Sequence, residues 1–121
     1  MPRTVLIVED TAHGRDMLEM ALMQLPGVVI HSVATAEEAL TCLAARDIAA
    51  IVTDLNLPRM DGFQLIETIR AASDMPIMVI SGDNSPNTLE RLVTLGASAY
   101  FPKPYSPSQV RQKLEELIDV I

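Results

Sequence analysis

Hydrophobic residues along this chain fall into short runs that alternate five times with segments of helical periodicity. The runs are rich in β-branched residues and too short for helices, so they predict strands. They span residues 4–8, 28–33, 48–53, 76–80 and 98–101. The third run is apolar without alternation, which is typical of a strand buried on both faces of a parallel sheet. Five βα units with short connections predict a doubly wound α/β fold, with helices on both faces of a five-stranded parallel sheet.

The segments between the runs carry helix start and stop signals. Thr35 and Glu38 are spaced as a capping box, and Ser85-Pro86 and Ser106-Pro107 each place an N-cap before a proline. Gly96 fits a helix end. The first helix is predicted from about Ala12 to Leu25, and the third from Asp61 or Gly62. Apolar spacing predicts these buried helix residues: Leu18, Ala21, Leu22, Leu25; Ala36, Leu40, Leu43; Phe63, Ile66, Ile69; Leu89, Leu92, Val93; Val110, Leu114, Leu117, Ile121.

Length and composition narrow the class of protein. A chain of 121 residues predicts one domain, covering residues 1–121. Hydrophobic residues make up 49% of the chain and aromatic residues only 3%, so the core must be aliphatic. The net charge of −7 argues against nucleic acid as a direct partner, because phosphate contacts need clustered Lys and Arg.

The single cysteine and the lack of long apolar runs bear on location. Cys42 has no internal disulfide partner, which fits a reducing compartment, and its apolar neighbours indicate a core position. No apolar run approaches the roughly 18 residues of a membrane span. The N-terminus also lacks the pattern of a signal peptide. We therefore expect a cytoplasmic protein that does not enter a membrane.

Polar side chains follow the predicted strands at the points where the strands end. Glu9 and Asp10 follow the first strand, Asp54 the third, Ser81 the fourth and Lys103 the fifth. The carboxyl ends of parallel strands meet at one edge of the sheet, where open α/β folds bind ligands. Taken alone, Asp54, Glu9-Asp10 and Ser81 also fit a turn or a helix cap, and Lys103 fits a solvated loop residue. Their joint placement instead predicts one polar site at that edge.

Three carboxylates in one pocket repel each other, and each raises the pKa of its neighbours. A hard cation relieves that repulsion, and Mg²⁺ accepts carboxylate and carbonyl oxygens. Such a site suits phosphoryl transfer, in which the protein positions the groups and neutralises charge. Asp54 is the candidate nucleophile because it stands alone at the middle strand. Lys103 would supply a positive charge to the phosphoryl oxygens, and Ser81 a hydrogen bond.

Four motifs at these positions resemble the receiver domain of bacterial two-component response regulators, over the full length of the chain. They are residues 5–10 (VLIVED), 54–62 (DLNLPRMDG), 80–82 (ISG) and 103–106 (KPYS). No single motif is specific, but the set is. The resemblance implies a flavodoxin-like (βα)5 fold with strand order 2-1-3-4-5.

The resemblance also implies a chemistry for the site. Asp54 would accept a phosphoryl group from the phosphohistidine of a sensor histidine kinase or a histidine phosphotransfer protein. Ser81 and Lys103 would bind the phosphoryl oxygens. The Mg²⁺ ligands would be Glu9, Asp10, Asp54 and the backbone carbonyl of Asn56. Such a domain assists its own phosphorylation and dephosphorylation, and it is a signalling domain rather than an enzyme.

Further implications concern the switch from phosphorylation to signal. The ring of Tyr100 would turn inward when the phosphoryl group draws the Ser81 hydroxyl, and this remodels the surface of helix four, strand five and helix five. Asn56 and Asp83 stand at the two positions that tune phosphoryl lifetime in relatives; Asn56 could orient a water and Asp83 could contact Lys103. We expect a lifetime of minutes or less. The peptide bond before Pro104 is usually cis in relatives.

Partner surfaces are less defined by the sequence. The start of helix one, around Thr11, Ala12, His13 and Arg15, rims the predicted pocket and would contact the phosphodonor protein. His13 and His31 lack Cys or His partners spaced for a transition metal and are expected to be ordinary polar residues. The downstream protein or output domain is absent from these residues. Apolar residues of helices four and five allow a homodimer through that surface but do not require one.

Three other interpretations compete. A flavodoxin-like FMN carrier would need a hydroxyl- and glycine-rich phosphate loop after strand one, where this chain has Glu9-Asp10. A phosphatase of the aspartate-nucleophile class would place a second Asp two residues after the nucleophile, where this chain has Asn56. A degenerate receiver used only for docking would not need the acidic residues and Lys103.

Overall fold

The computed structural model describes residues 3–118 and contains five strands and five helices in strict alternation. The elements are β1 (Arg3–Val8), α1 (Ala12–Leu22), β2 (Val28–Val33), α2 (Ala36–Ala45), β3 (Ala50–Thr53), α3 (Gly62–Arg70), β4 (Ile77–Ser81), α4 (Pro86–Leu95), β5 (Ala99–Pro102) and α5 (Pro107–Ile118). All neighbouring strands pair in parallel, in the order β2-β1-β3-β4-β5. The predicted fold class and strand order are confirmed.

Strand register brings the polar ends of the strands to one edge. Val8, the last residue of β1, lies opposite Val33 of β2 and Thr53 of β3. On the other side, Ser81 at the end of β4 lies opposite Pro102 of β5. Since the strands end nearly level, the residues that follow them share the same edge of the sheet.

Side chains alternate along the strands and form a core layer on each face of the sheet. One layer contains Leu6, Ile51 and Val79 and is covered by α2, α3 and α4. The other contains Ile7, Val52 and Ile80 and is covered by α1 and α5. Strands β3 and β4 are buried along their whole length, which agrees with their uninterrupted apolar sequences.

Several predicted helix faces differ from the observed ones. Helix α1 ends at Leu22, although Leu25 beyond it is still buried. Helix α2 turns Ala36, Ala39 and Cys42 toward the sheet, because small side chains allow a close approach, and Leu40 and Leu43 are only partly buried. In α3, Leu65 is buried and Phe63 only partly so.

Helix α4 departs furthest from its predicted face. Leu92 is buried as expected, but Leu89 is 38% exposed and Val93 is 79% exposed. The second buried residue is Thr88, one turn before Leu92, so the helix is rotated relative to the face that its apolar residues suggested. On α5, Val110 and Leu114 are buried and Leu117 is partly buried, while Ile121 lies outside the described residues.

Between residues 3 and 118, no helix combines the length and the apolar character needed to cross a membrane.

Candidate functional site

The loop after β1 holds Glu9 with its carboxylate turned inward. The Glu9 side chain is buried, and its Oε2 accepts hydrogen bonds from the Thr11 backbone N–H at 2.8 Å and the Thr11 hydroxyl at 3.2 Å. Gly14 leaves the room that this carboxylate needs, because a Cβ there would stand 2.7 Å from Glu9 Cδ. Arg15 Nη1 donates to the carbonyls of Glu9 at 2.9 Å and Asp10 at 3.2 Å. Backbone and side chain of the loop are therefore both fixed.

Asp54 follows β3 and is 6% exposed. Its backbone N–H still bonds to Val8 O at 3.1 Å, so the residue continues the sheet. Its Oδ1 accepts from the N–H groups of Leu55 at 2.6 Å and Asn56 at 3.1 Å. Gly62 is required behind it, because a Cβ at that position would lie 2.5 Å from the Asp54 carbonyl oxygen. One carboxylate oxygen is thus anchored, while Oδ2 faces the pocket.

Lys103 joins the two acidic strand ends. Its Nζ lies 2.6 Å from Asp54 Oδ2 and 3.1 Å from Glu9 Oε1. The backbone N–H of Lys103 bonds to Ser81 O at 2.9 Å, which fixes the residue beside β4, and the following bond to Pro104 is cis, as the resemblance implies. The structure therefore brings Lys103 into direct contact with both Glu9 and Asp54, at the sheet edge that the sequence predicts.

The opposite charges of this cluster shift the pKa values of Glu9 and Lys103. Burial alone would raise the pKa of Glu9, but the Thr11 N–H and the Lys103 ammonium outweigh it and lower that pKa to about 2. Burial would lower the pKa of Lys103, yet its bonds to Asp54 and Glu9 outweigh this and raise it. Near neutral pH both groups are charged.

Asp10 is the acidic residue of the pocket whose pKa is raised. Its side chain is exposed at the edge of the pocket, but partial desolvation, the adjacent Glu9 carboxylate and the charge of Asp54 all raise that pKa. Residues 3–118 contain no group of three or more His, Cys, Asp or Glu side chains already arranged to hold a metal ion. Lys103 bridges Glu9 and Asp54 instead. The donor types nevertheless fit a hard cation, since they are carboxylates with unrelieved mutual repulsion at Asp10.

Ser81 and Tyr100 meet in the loop after β4. Ser81 is fully buried, and its Oγ accepts from the Asp83 N–H at 3.2 Å. The Tyr100 hydroxyl donates to the carbonyls of Asp83 at 2.9 Å and Ser81 at 3.4 Å. The ring of Tyr100 is partly buried against the core layer beneath α4. Tyr100 therefore already contacts the loop that carries Ser81.

The two predicted lifetime positions have different surroundings. Asn56 is exposed at the mouth of the pocket, two residues after Asp54. The Asp83 carboxylate instead bonds to the Ser85 N–H at 3.1 Å and the Thr88 hydroxyl at 2.7 Å. The predicted contact between Asp83 and Lys103 is thus not formed, because the carboxylate is engaged at the start of α4 and Lys103 at Glu9 and Asp54.

The two histidines lie outside this cluster, whereas two of the predicted partner residues support it. His13 is exposed on α1 and lines a groove beside Lys103, and His31 lines a separate depression between β2 and α2. Thr11 and Arg15, predicted only as rim residues, turn out to hold Glu9 and Asp10 in place.

Thr88 and Gly62 also bear on the site and were missed as site residues in the sequence. The spacing of Thr88 and Leu92 at i and i+4 places both on one helix face, which is a usable signal for burial. For Gly62, its position at the start of a helix after Asp61 was visible, but its close approach to Asp54 needed the structure.

Comparison with known proteins adds the family. Residues 5–115 match the family described as "Response regulator receiver domain". The transcriptional regulatory protein HprR of Escherichia coli (strain K12) is 30% identical over 106 residues, which cover 88% of this chain and 47% of HprR. The chain spans about half the length of the first curated relatives it matches.

Solved structures agree with this match. A crystal structure titled as a sensor protein from Polaromonas sp. JS666 is 32% identical, with a TM-score of 0.87 and coverage of 97% of this chain and 96% of that one. The chemotaxis response regulator CheY4 of Vibrio cholerae is 26% identical, with a TM-score of 0.86 and coverage of 97% and 99%. The fold, the arrangement of the strand ends and the match over residues 5–115 lead to one conclusion: this chain belongs to the receiver domain family of two-component response regulators.

Proposed function

We propose that this chain is a phosphoacceptor, and that Asp54 receives a phosphoryl group from the phosphohistidine of a sensor histidine kinase or histidine phosphotransfer protein. The observation that carries the proposal is the contact of Lys103 Nζ with Asp54 Oδ2 at 2.6 Å and with Glu9 Oε1 at 3.1 Å. Three strands deliver a nucleophile, an acidic partner and a cation to one point. A solvent-exposed loop would not need that convergence.

The transfer itself requires little covalent chemistry from the protein. Asp54 Oδ2 attacks the phosphorus, the phosphorus–nitrogen bond of the donor breaks, and its electron pair returns to the imidazole nitrogen. The product is an acyl phosphate on Asp54. Because Oδ1 is anchored by the N–H groups of Leu55 and Asn56, Oδ2 is the oxygen presented for attack.

Charge neutralisation is the main contribution of the surrounding residues. The Lys103 ammonium contacts the Asp54 carboxylate before transfer and would neutralise the phosphoryl oxygens during it. The Ser81 hydroxyl would donate a further hydrogen bond to those oxygens. Mg²⁺ would be held by Glu9, Asp10, Asp54 and the carbonyl of Asn56, and when bound it would neutralise phosphoryl charge. Glu9 is kept ionised for this purpose by Thr11 and Lys103.

The response to phosphorylation follows from the loop between β4 and α4. A phosphoryl group on Asp54 draws the Ser81 hydroxyl, and Tyr100 packs into the space behind it. The phosphoryl group would raise the population of the state in which the Tyr100 ring is turned inward. The size of that shift is limited by how much more tightly this state binds the phosphoryl group than the other state does. The bond from the Tyr100 hydroxyl to the Asp83 carbonyl supports this path, because it already joins Tyr100 to the loop that carries Ser81.

The phosphodonor protein would dock beside α1. A groove of ≈ 530 Å³ opens next to Lys103, and its apolar wall is formed by Met17, Pro104, Tyr105 and Pro107. Met17 and Met20 are 44% and 63% exposed on the same helix. An apolar surface beside a charged pocket suits a partner that must bring one histidine to Asp54.

The surface formed by α4, β5 and α5 would bind the downstream partner. Leu89 and Val93 expose apolar surface there, which suits a downstream protein, an output domain or a second copy in a homodimer. Curated relatives such as HprR are named transcriptional regulators and are about twice as long as the matched region, so an effect on transcription would require residues outside this chain. We place this activity in the cytoplasm, where sensor kinases present their phosphohistidine.

Phosphoryl lifetime is proposed to be minutes or less. Asn56 is exposed beside the pocket and can orient an attacking water. Asp83 would act on lifetime only indirectly, since its carboxylate is engaged by Ser85 and Thr88. The domain thus promotes reactions at its own Asp54 and does not turn over external phosphate esters.

The proposal is tested by intact-mass measurement after incubation with acetyl phosphate and Mg²⁺. Wild type should gain the mass of one phosphoryl group, which hydroxylamine removes, because an acyl phosphate is cleaved by that nucleophile. Asp54→Asn should gain none, and Lys103→Met should gain it much more slowly. Asp47→Asn, at an exposed carboxylate after α2, serves as the matched control and should behave as wild type. An equal mass gain in Asp54→Asn contradicts the site, and no gain in wild type contradicts the function.

A further inference from the structure

Thr88 is a buried polar residue that the phosphoryl chemistry does not use. It lies in the first turn of α4 and is 6% exposed. Its hydroxyl donates to Asp83 Oδ2 at 2.7 Å and accepts from the Ser85 hydroxyl at 3.1 Å. A buried hydroxyl costs free energy unless it is hydrogen-bonded, so this arrangement specifies one position of the Asp83 side chain.

Asp83 connects that hydroxyl to the switch residues. Its Oδ1 accepts from the Ser85 N–H at 3.1 Å, so both carboxylate oxygens are held by the start of α4. Its backbone N–H donates to Ser81 Oγ at 3.2 Å, and its carbonyl accepts from the Tyr100 hydroxyl at 2.9 Å. One residue therefore contacts α4 through its side chain and both Ser81 and Tyr100 through its backbone.

The bond from Thr88 involves a charged group. The Thr88 hydroxyl and the Ser85 N–H lower the pKa of Asp83, so the carboxylate is ionised near neutral pH. Hydrogen bonds to an ionised acceptor are stronger than those between neutral groups. Gly82 precedes Asp83, and a Cβ there would meet nothing within 4 Å, so packing around Gly82 does not fix the loop. The loop is instead held by hydrogen bonds, and those of the Asp83 side chain are the ones that tie it to α4.

We propose that Thr88 is a positioning residue, which fixes the Asp83 side chain and thereby holds the backbone carbonyl that binds the Tyr100 hydroxyl. Helix α4 and the Tyr100 hydroxyl are then linked through two hydrogen bonds and one residue. The effect of this link on phosphorylation rests on the proposed function, whereas the link itself does not. The Tyr100 environment can therefore be tested in the unphosphorylated protein.

A purely structural role for Thr88 makes a different prediction. The N-cap of α4 is Ser85, which accepts from the Thr88 backbone N–H at 3.4 Å, and that bond does not need the Thr88 hydroxyl. If the hydroxyl only stabilised the helix, its removal would lower stability and leave Tyr100 unchanged. If it positions Asp83, its removal must alter the surroundings of the Tyr100 ring.

The test is fluorine NMR of the full chain labelled with 3-fluorotyrosine. The chain has two tyrosines, so Tyr105→Phe assigns the resonance of Tyr100. Thr88→Val removes the hydroxyl with little change in shape, and Thr88→Ser restores it. Thr94→Val is the matched control, because Thr94 lies on the same helix and its hydroxyl donates to Glu90 O of that helix, at 3.0 Å.

Thr88→Val is expected to shift or broaden the Tyr100 resonance, while Thr88→Ser and Thr94→Val resemble wild type. Phosphorylation by acetyl phosphate, in the proposed function, should slow about three- to tenfold in Thr88→Val alone, as expected for the loss of one hydrogen bond. A Tyr100 resonance in Thr88→Val identical to that in Thr94→Val overturns the inference. Should Thr88→Val fail to fold, Asp83→Ala at the exposed end of the same bond must shift Tyr100, and an unshifted resonance overturns the inference equally.

Discussion

Helices α3 and α4 cover the same face of the sheet but are attached to it very differently. Helix α3 has 9 residues and buries four of them, Gly62, Leu65, Ile66 and Ile69. Helix α4 has 10 residues and buries only Thr88 and Leu92. Apolar side chains of α4 point outward, and Val93 is 79% exposed. Neighbouring helices of similar length thus differ in how much apolar contact holds them.

In the proposed function this difference matches two tasks. Helix α3 begins against Asp54, where Gly62 lies in backbone contact, so a rigid α3 would fix the proposed phosphoryl site. Helix α4 is held at its start by polar bonds around Asp83 and has one buried apolar residue, Leu92. Elements that move on activation come from the less stable parts of a structure. Its outward apolar residues also leave surface for a partner.

The largest test of this contrast removes one apolar side chain from each helix. Ile66→Ala in α3 should lower the free energy of unfolding by about 3 kcal/mol, since Ile66 is fully buried and leaves a cavity. Val93→Ala in α4 should change it by less than about 0.5 kcal/mol, because most of that side chain is exposed. Urea denaturation of both variants measures the difference. Equal losses in the two variants would remove the contrast.

The next test compares the glycines that precede or begin the two helices. Gly62→Ala should destabilise by about 2 kcal/mol, because its Cβ would lie 2.5 Å from Asp54 O and 2.6 Å from Leu55 Cα, which are backbone atoms that cannot yield easily. It should also slow phosphorylation by displacing Asp54. Gly82→Ala, before α4, meets nothing within 4 Å and should be nearly neutral. Thermal denaturation of both variants decides, and a neutral Gly62→Ala would contradict the tight contact at α3.

Sequence reasoning predicted the fold because periodicity and helix caps agree along the whole chain. The uninterrupted apolar run of β3 and the capping residues Thr35 and Ser85 each had one structural meaning. It failed for the buried face of α4, where Leu89 and Val93 were expected inside. Hydrophobicity indicates which residues gain by burial, but the rotation of a helix depends on its polar neighbours as well. Here the bonds of Thr88 to Asp83 and Ser85 turn a threonine inward.

The site was predictable to the extent that strand ends determine it. Asp54, Glu9 and Lys103 meet because parallel strands end at one edge, a consequence of topology that the sequence already contains. The partner of Asp83 was predicted wrongly: Lys103 was expected, and Thr88 in the first turn of α4 binds the carboxylate instead. That contact depends on the rotation of α4, which its apolar pattern did not reveal.

Acid titration should separate the pocket from the start of α4. The folded-state pKa of Glu9 is lowered from 4.5 to about 2, so its contribution to stability is fully present above pH 4.5 and is lost as the pH falls toward 2. Asp10 acts in the opposite direction, because its pKa is raised. The free energy of unfolding of Glu9→Gln should therefore fall less steeply than that of wild type between pH 4.5 and about 2. Urea denaturation across that range measures both.

Asp83→Asn provides the comparison at the α4 end. The pKa of Asp83 is also lowered, chiefly by the Thr88 hydroxyl, so the sign of its contribution is the same. Its exposed carboxylate is screened by solvent, and its effect on the pH dependence should be the smaller of the two. A larger effect from Asp83→Asn than from Glu9→Gln would mean that α4, and not the pocket, carries most of the acid sensitivity.

The smallest effect concerns the loop that leads into α3. Arg59 has a φ of 67°, a left-handed conformation that costs a residue with a side chain roughly 1 kcal/mol. Arg59→Gly should raise the free energy of unfolding by about 0.5 kcal/mol, since glycine relieves this cost but loses more freedom on folding. Arg46→Gly, at a φ of −135°, should give no such gain. If urea denaturation finds Arg59→Gly no more stable than Arg46→Gly, the left-handed residue before α3 carries no strain, and the attachment of α3 bears no such cost.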